Sequence, residues 1–276
     1  MENTVPVFRY RWFIENCSLL ELPNGKVIVI DPIFRKDEAD CANQREKNYL
    51  CGFDDSVVER CDYILLTHIH FDHTGSLKAL YERFRAPILV NGWSAFEMVK
   101  FLDMPVGSVI PMSDGCEYNF DDFRVLWQQG RHTAFMGTLT LSENNLTADM
   151  PMDEKIFFHK GTTYHSNFIL KLPNGMSVAM DGGWCEPHLN ELEKYRPTLI
   201  LHHAQRNIDA CYDAVSRQLR RSGSPMLFLM TMQILEDPRG TVAELNRRLA
   251  ADGISGRVVF AEPGQWTTFA MGAVGE

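Results

Sequence analysis

Residues 65–75 read Leu65-Leu66-Thr67-His68-Ile69-His70-Phe71-Asp72-His73-Thr74-Gly75. Before them, Asp62 to Thr67 is a short apolar run of the kind a buried strand uses. After them, Leu77, Leu80, Tyr81 and Phe84 recur at the i, i+3, i+4, i+7 spacing of one helical face. The pattern predicts a strand, a loop and a helix in that order, with four potential metal ligands in the loop. Side chains alternate at a strand end, so His68 and His70 share one side, while the turn into the helix swings Asp72 and His73 elsewhere. One short loop thereby offers donors for two neighbouring metal sites. Imidazole and carboxylate are ligands that zinc, iron and manganese accept.

Working outward, residues 18–31 (SLLELPNGKVIVID) and 168–181 (FILKLPNGMSVAMD) align without a gap. Each reads as an apolar strand, a Pro-Asn-Gly turn whose Asn-Gly supplies the positive-φ residues of a tight hairpin, a second strand and a closing aspartate. The shared register predicts two similar halves packed face to face, a layered sandwich in one domain spanning residues 1–276. Ile208, Cys211, Tyr212, Val215 and Leu219 predict a helix that stops at Gly223. Thr241 and Glu244 read as a capping box ahead of a last helix, with Gly253 just beyond it. Arg257 to Phe260 and Trp266 to Ala270 read as closing strands, and residues 35–60 as an insertion or a loop with one helix.

The 276 residues are 45% hydrophobic and 23% charged, ordinary values for a globular chain with a sizeable core. A formal net charge of -9 disfavours a nucleic-acid partner and reads chiefly as a solvated surface. Seven cysteines without a C-x-x-C pair fit free thiols in a reducing compartment. The opening MENTVPVFRY has no signal-peptide pattern, and no apolar run approaches the ~20 residues of a membrane span. A cytoplasmic protein without membrane contact is expected; the oligomeric state is not legible.

The H-x-H-x-D-H pattern after an apolar strand resembles the signature of the metallo-β-lactamase superfamily, and the likeness runs over nearly the whole chain. The resemblance implies an α/β fold, a four-layer αββα sandwich of two similar halves. It also implies two divalent metal ions, zinc first, with iron or manganese as alternatives. By the same resemblance His68, His70 and His132 (in Arg131-His132-Thr133) hold metal one, Asp72 and His73 help hold metal two, and Asp181 bridges both. Asp72 would also orient the attacking water or take its proton, as the catalytic residue. Asp31, the partner of Asp181 in the repeat, is expected only to cap its turn. The chain departs from the family at the last motif: Thr231-Met232-Gln233 follow the late strand 226–230, and no histidine occurs beyond His203. Either His202 or His203 completes metal two, or that metal is weakly held or absent. His159, His165 and His188 are read as surface or supporting residues.

The implied activity is hydrolysis of a small ester, lactone, thioester or phosphodiester. An oxygen-reducing di-iron role would place Glu where His70 stands, a tRNA-processing role needs the missing late histidine, and a secreted β-lactamase needs a signal peptide. The second reading is a degenerate, non-catalytic metal- or ligand-binding protein on the same scaffold. Trp12, Phe13, Trp93, Phe135 and Trp184 are candidates to line a pocket, set against an ordinary role in a core.

Overall fold

The repeated hairpins are the most regular local feature of the computed structural model, which describes residues 7–41, 44–130, 132, 164–181, 186–205, 207–230 and 235–270. In the first, strands β2 (Cys17–Glu21) and β3 (Val27–Ile30) pair antiparallel. In the second, β9 (Ser166–Lys171) and β10 (Ser177–Asp181) do the same. The turns match bond for bond. Leu22 N–H donates to Lys26 O (2.8 Å) and Gly25 N–H to Leu22 O (2.9 Å), as Leu172 donates to Met176 O (2.8 Å) and Gly175 to Leu172 O (3.1 Å). Only the glycines are left-handed, at φ 78° for Gly25 and 84° for Gly175. The loop is thus the three-residue kind with a single αL glycine, and Asn24 and Asn174 instead use their side-chain oxygens to accept from Lys26 N and Met176 N.

Around each hairpin grows a seven-stranded sheet. The first adds β1 (Val7–Ile14), β4 (Tyr63–Leu65), β5 (Ile88–Asn91), β6 (Val109–Met112) and β14 (Trp266–Ala270), in the order β14-β1-β2-β3-β4-β5-β6. The second adds β7 (Glu117–Phe120), β8 (Phe123–Gln129), β11 (Leu199–His203), β12 (Met226–Met230) and β13 (Arg257–Val259), in the order β13-β12-β11-β10-β9-β8-β7. The orders correspond position by position. Each sheet has an antiparallel outer strand, a strand antiparallel to the hairpin, the hairpin itself, and then three parallel additions.

Alternation along the strands assigns the layers. Val27 and Val29 of β3 join Ile64, Leu77, Leu80 and Met98 in a cluster under the first pair of helices, α3 (Leu77–Phe84) and α4 (Gly92–Leu102). Ile28 and Ile30 point the other way, into a core shared with Trp127, Phe168 and Met180 of the second sheet. Beyond that sheet, α5 (Glu186–Tyr195), α6 (Ile208–Ser222) and α7 (Pro238–Ala251) contribute Leu189, Val215 and Leu245 to the same core. Helices, sheet, sheet, helices: the fold is the expected αββα sandwich.

The segment after β3 holds short helical turns at Glu38–Asp40, Gln44–Lys47 (α1) and Asp55–Val57. One local expectation is corrected. Thr241 does not begin the last helix. Asp237 caps it, accepting from Gly240 N–H at 2.9 Å, with Pro238 in the first turn where its missing N–H costs nothing. Glu244 instead pairs with Arg247 and Arg248. Cys17, Cys41, Cys51, Cys61, Cys116 and Cys211 are free thiols. Among the described residues, no helix is long and apolar enough to cross a membrane. Arg131, Thr133, Phe135, His159, Trp184, Cys185 and Thr231-Met232-Gln233 lie outside the described residues.

Candidate metal centre

The parallel strands end on one edge, and the histidine loop leaves that edge from β4. Asp31 N–H donates to Leu65 O at 3.0 Å, so the ends of β3 and β4 are tied together. The chain then enters the short helix α2 (Phe71–Thr74), where His73 N–H and the Thr74 hydroxyl both donate to His70 O at 3.0 Å. Gly75 permits the exit: a Cβ there would lie 3.1 Å from the Arg35 guanidinium and from Phe71.

This loop gathers its side chains as expected. His68 Nε2 lies 3.0 Å from His70 Nδ1, and the His132 ring stands 5.0 Å from both rings. One donor atom from each of these three lies within 4.8 Å of the others. The His73 ring is 3.9 Å from that of His68, and His73 Nε2 is 3.7 Å from Asp72 Oδ2.

Asp31 does more than cap a turn. It is fully buried at φ 44°, a costly backbone for a non-glycine residue. Its carboxylate accepts from Thr67 N–H (2.7 Å), the Thr67 hydroxyl, Asn16 Nδ2 (2.9 Å) and His73 Nδ1 (2.7 Å). A carboxylate only accepts, so His73 carries its proton on Nδ1 and turns Nε2 toward Asp72. The Thr67 hydroxyl, having donated to Asp31, accepts from His68 Nδ1 at 3.0 Å, which leaves His68 Nε2 as the lone-pair nitrogen facing His70. One carboxylate thus fixes the tautomers of two histidines, the arrangement that orients metal-binding imidazoles.

His165, read from the sequence as a surface or supporting residue, belongs to the cluster. It is 2% exposed, and its ring lies 4.7 Å from that of His68 and 5.7 Å from that of His132. Its Nδ1 is buried with no hydrogen-bond partner. The pairing of β8 with β9 brings it there: Gln129 faces Ser166, so Gly130 faces His165 and donates to its carbonyl at 2.7 Å. A Cβ on Gly130 would fall 2.6 Å from Asn167 Oδ1 and 3.0 Å from His165 Nδ1, so glycine is required at this crossing. No local signal in the sequence brings His165 here, since it arrives through the pairing of β8 with β9.

Of the remaining expected residues, Asp181 ends β10 with its backbone beside His202, and its side chain lies outside the described residues. His202 is buried, and its Nδ1 accepts from Gln218 Nε2 on α6 at 2.9 Å. That bond puts His202 on the helix side of its sheet. His203, next along the strand, is half-buried and close enough to His165 to act on it electrostatically. His188 is buried on α5, with Nδ1 donating to Gln128 Oε1 at 3.1 Å.

The electrostatics suit a cation. Burial, then the neighbouring His73 and His70, hold His68 well below the usual histidine range; burial and His132 do the same for His165. Both are neutral imidazoles, the form that coordinates metal. Burial works against protonating His73 as well, but Asp72 and Asp31 override it and raise its pKa to about 9. Burial would raise Asp72, yet the charge of His73 and His70 keeps it below its ordinary value. Its Oδ1 is buried without a hydrogen-bond partner. A carboxylate oxygen buried without a hydrogen bond is costly unless a cation meets it, and His73 Nε2 approaches only the other oxygen, at 3.7 Å. The 3.0 Å between His68 Nε2 and His70 Nδ1 also compares well with the roughly 3.4 Å edge of a tetrahedron with bonds of ~2.0–2.1 Å. The donors present fit divalent metal.

Comparison with known proteins agrees. A "UPF0173 metal-dependent hydrolase" from Bacillus cereus is 32% identical over 149 residues, 51% of this chain and 57% of that protein. One from Myxococcus xanthus is 29% identical over 111 residues, 40% of this chain and 34% of that protein. The matches therefore span about a third to somewhat over half of these curated relatives. Among solved structures, an isothiocyanate hydrolase from Delia radicum gut bacteria superposes with a TM-score of 0.66 at 16% identity, covering 95% of this chain and 99% of that one, a likeness of fold. The sequence model of the metallo-beta-lactamase superfamily matches residues 10–175, which takes in the histidine loop, His132, His165 and the strand of the second hairpin that carries the turn. Motif, sandwich and family match converge on one assignment: this chain belongs to the metallo-β-lactamase superfamily.

Proposed function

We propose that the protein is a metal-dependent hydrolase acting on a small ester, lactone, thioester or phosphodiester. The observation that carries this reading is the buried Asp72 oxygen without a hydrogen bond beside the gathered donors of His68, His70 and His132. His68, His70 and His132 would hold one divalent ion, zinc first by donor type, with iron or manganese as alternatives. Asp72, His73 and Asp181 would hold a second, completed by His203 in preference to His202, whose ring is engaged by Gln218. Bound there, such ions supply Lewis acidity and lower the pKa of a water toward neutrality.

The chain's own groups do the rest. Asp31 holds His73 and, through Thr67, His68 in the required tautomers. Asp72, kept ionised, orients the attacking water or takes its proton. The net charge of -9 favours a small-molecule substrate over nucleic acid, and the free thiols support a cytoplasmic setting. A non-catalytic binding protein is the second reading, favoured by Thr231-Met232-Gln233 at the place of the family's last histidine.

Elemental analysis of protein purified without chelator, with turnover of bis-p-nitrophenyl phosphate and a panel of esters, lactones and thioesters, separates the two. The hydrolase reading expects one to two equivalents of metal and turnover lost in Asp72→Asn. Metal without turnover of any substrate would favour the binding protein. No metal and no uptake would sink the hydrolase reading and leave only a metal-free ligand-binding protein.

A further inference from the structure

The ends of β5, β6 and β8 open a cleft of about 350 Å³, lined by Asn91, Trp93, Met112, Asp114 and Gln129 among others. Trp93 is 69% exposed and Phe96 73%, and their i, i+3 spacing puts both on one face of α4. Two exposed aromatic rings on one helix face beside a cleft give a bound group apolar surface to cover. The Trp93 ring is also held in place. Asn91 caps the helix by accepting from Trp93 N–H at 2.9 Å, and the indole stacks on Tyr164 with centroids 5.7 Å apart and planes 16° from parallel.

This aromatic wall adjoins the metal centre along two strands. Tyr164 immediately precedes His165, whose ring lies 4.7 Å from that of His68. Gln129 ends β8, and the chain runs from it through Gly130 to His132. Among the described residues lining the cleft, Asp114 alone is charged; its Oδ1 accepts from Gln129 N–H at 2.6 Å. A lone carboxylate with no lining cation repels an anion, and the largely exposed Trp93 indole, braced by the stacked Tyr164 ring, favours planar groups that stack on it in offset geometry.

We propose that this cleft is a subsite for an uncharged aromatic group, held on the Trp93 ring while the bond to be broken lies at the histidine cluster. The role of that group in turnover rests on the hydrolase reading; its binding does not. The test is therefore calorimetric binding of 2-naphthol and of its saturated counterpart, decahydro-2-naphthol, to the metal-loaded protein. The wild type should prefer the aromatic alcohol about tenfold, as expected of stacking on one ring. Trp93→Ala should lose that preference with metal content unchanged, and Trp93→Phe should keep most of it. Equal binding of the two alcohols, or an undiminished preference in Trp93→Ala, overturns the proposal. If the preference depends on Trp93 but no substrate is turned over, the subsite stands and the hydrolase reading fails. If esters are hydrolysed without any aromatic preference, the subsite alone fails.

Discussion

In β11 the His202 ring receives its hydrogen bond from Gln218 on the helix side of the sheet, so alternation turns His203 toward the space between the sheets. Replacing His203 with Ala should lower metal stoichiometry from two toward one. His202→Ala should leave metal content unchanged and cost about 1–3 kcal/mol of stability, because Gln218 is left buried without its partner. Metal analysis and denaturant melts of both variants check this, and loss of metal in His202→Ala alone would reverse the assignment. At this scale the sequence was legible where the candidate ligands that cluster are neighbours in the chain, as from His68 to His73. It was not legible where a side chain arrives by strand pairing. His165 reaches the cluster only because Ser166 pairs with Gln129 and donates to Thr67 O at 2.7 Å. Asp31 reads as a turn residue because nothing local says that Thr67 and His73 converge on it.

Among the elements, those with strong local chemistry read well. The αL glycines fixed both hairpins, and Asn207 with Gly223 bounds α6 at the expected places. The start of α7 did not, because two capping signals compete within five residues and propensity alone does not rank them. Asp237 prevails since Pro238 supplies the first-turn φ and leaves one fewer N–H to satisfy. Asp237→Ala should therefore destabilise the protein by about 0.5–2 kcal/mol, while Thr241→Ala, inside the helix, should change stability little. Thermal or urea melts of the two variants decide it. A larger loss for Thr241→Ala would restore the capping box.

For the whole molecule, the layer architecture followed from the repeated hairpin and the motif, whereas strand order and register depend on partners too distant in sequence to be read. The cluster at the strand ends also leaves a mark on global stability. His73 has its pKa raised from 6.5 to about 9 in the folded state. Its proton thus stabilises the metal-free fold fully below about 6.5, and that contribution is lost as pH rises through about 9. Chelator-stripped protein should show a falling Tm across that window, and metal-loaded protein a flatter one, since a bound cation replaces the proton. A flat profile for the stripped protein would mean that the Asp31–His73 pair does not hold its charge. One further consequence follows from the two outermost strands. β7, which follows the first half in the chain, pairs with β8 of the second sheet, and β14, which follows the second half, returns to pair with β1. On the ribosome, the first sheet therefore keeps the edge of β1 open until residues near 270 have emerged. Throughout that interval β1, which bears Tyr10 and Trp12, is paired with β2 on one side only, and its other edge is open in the way that recruits other chains.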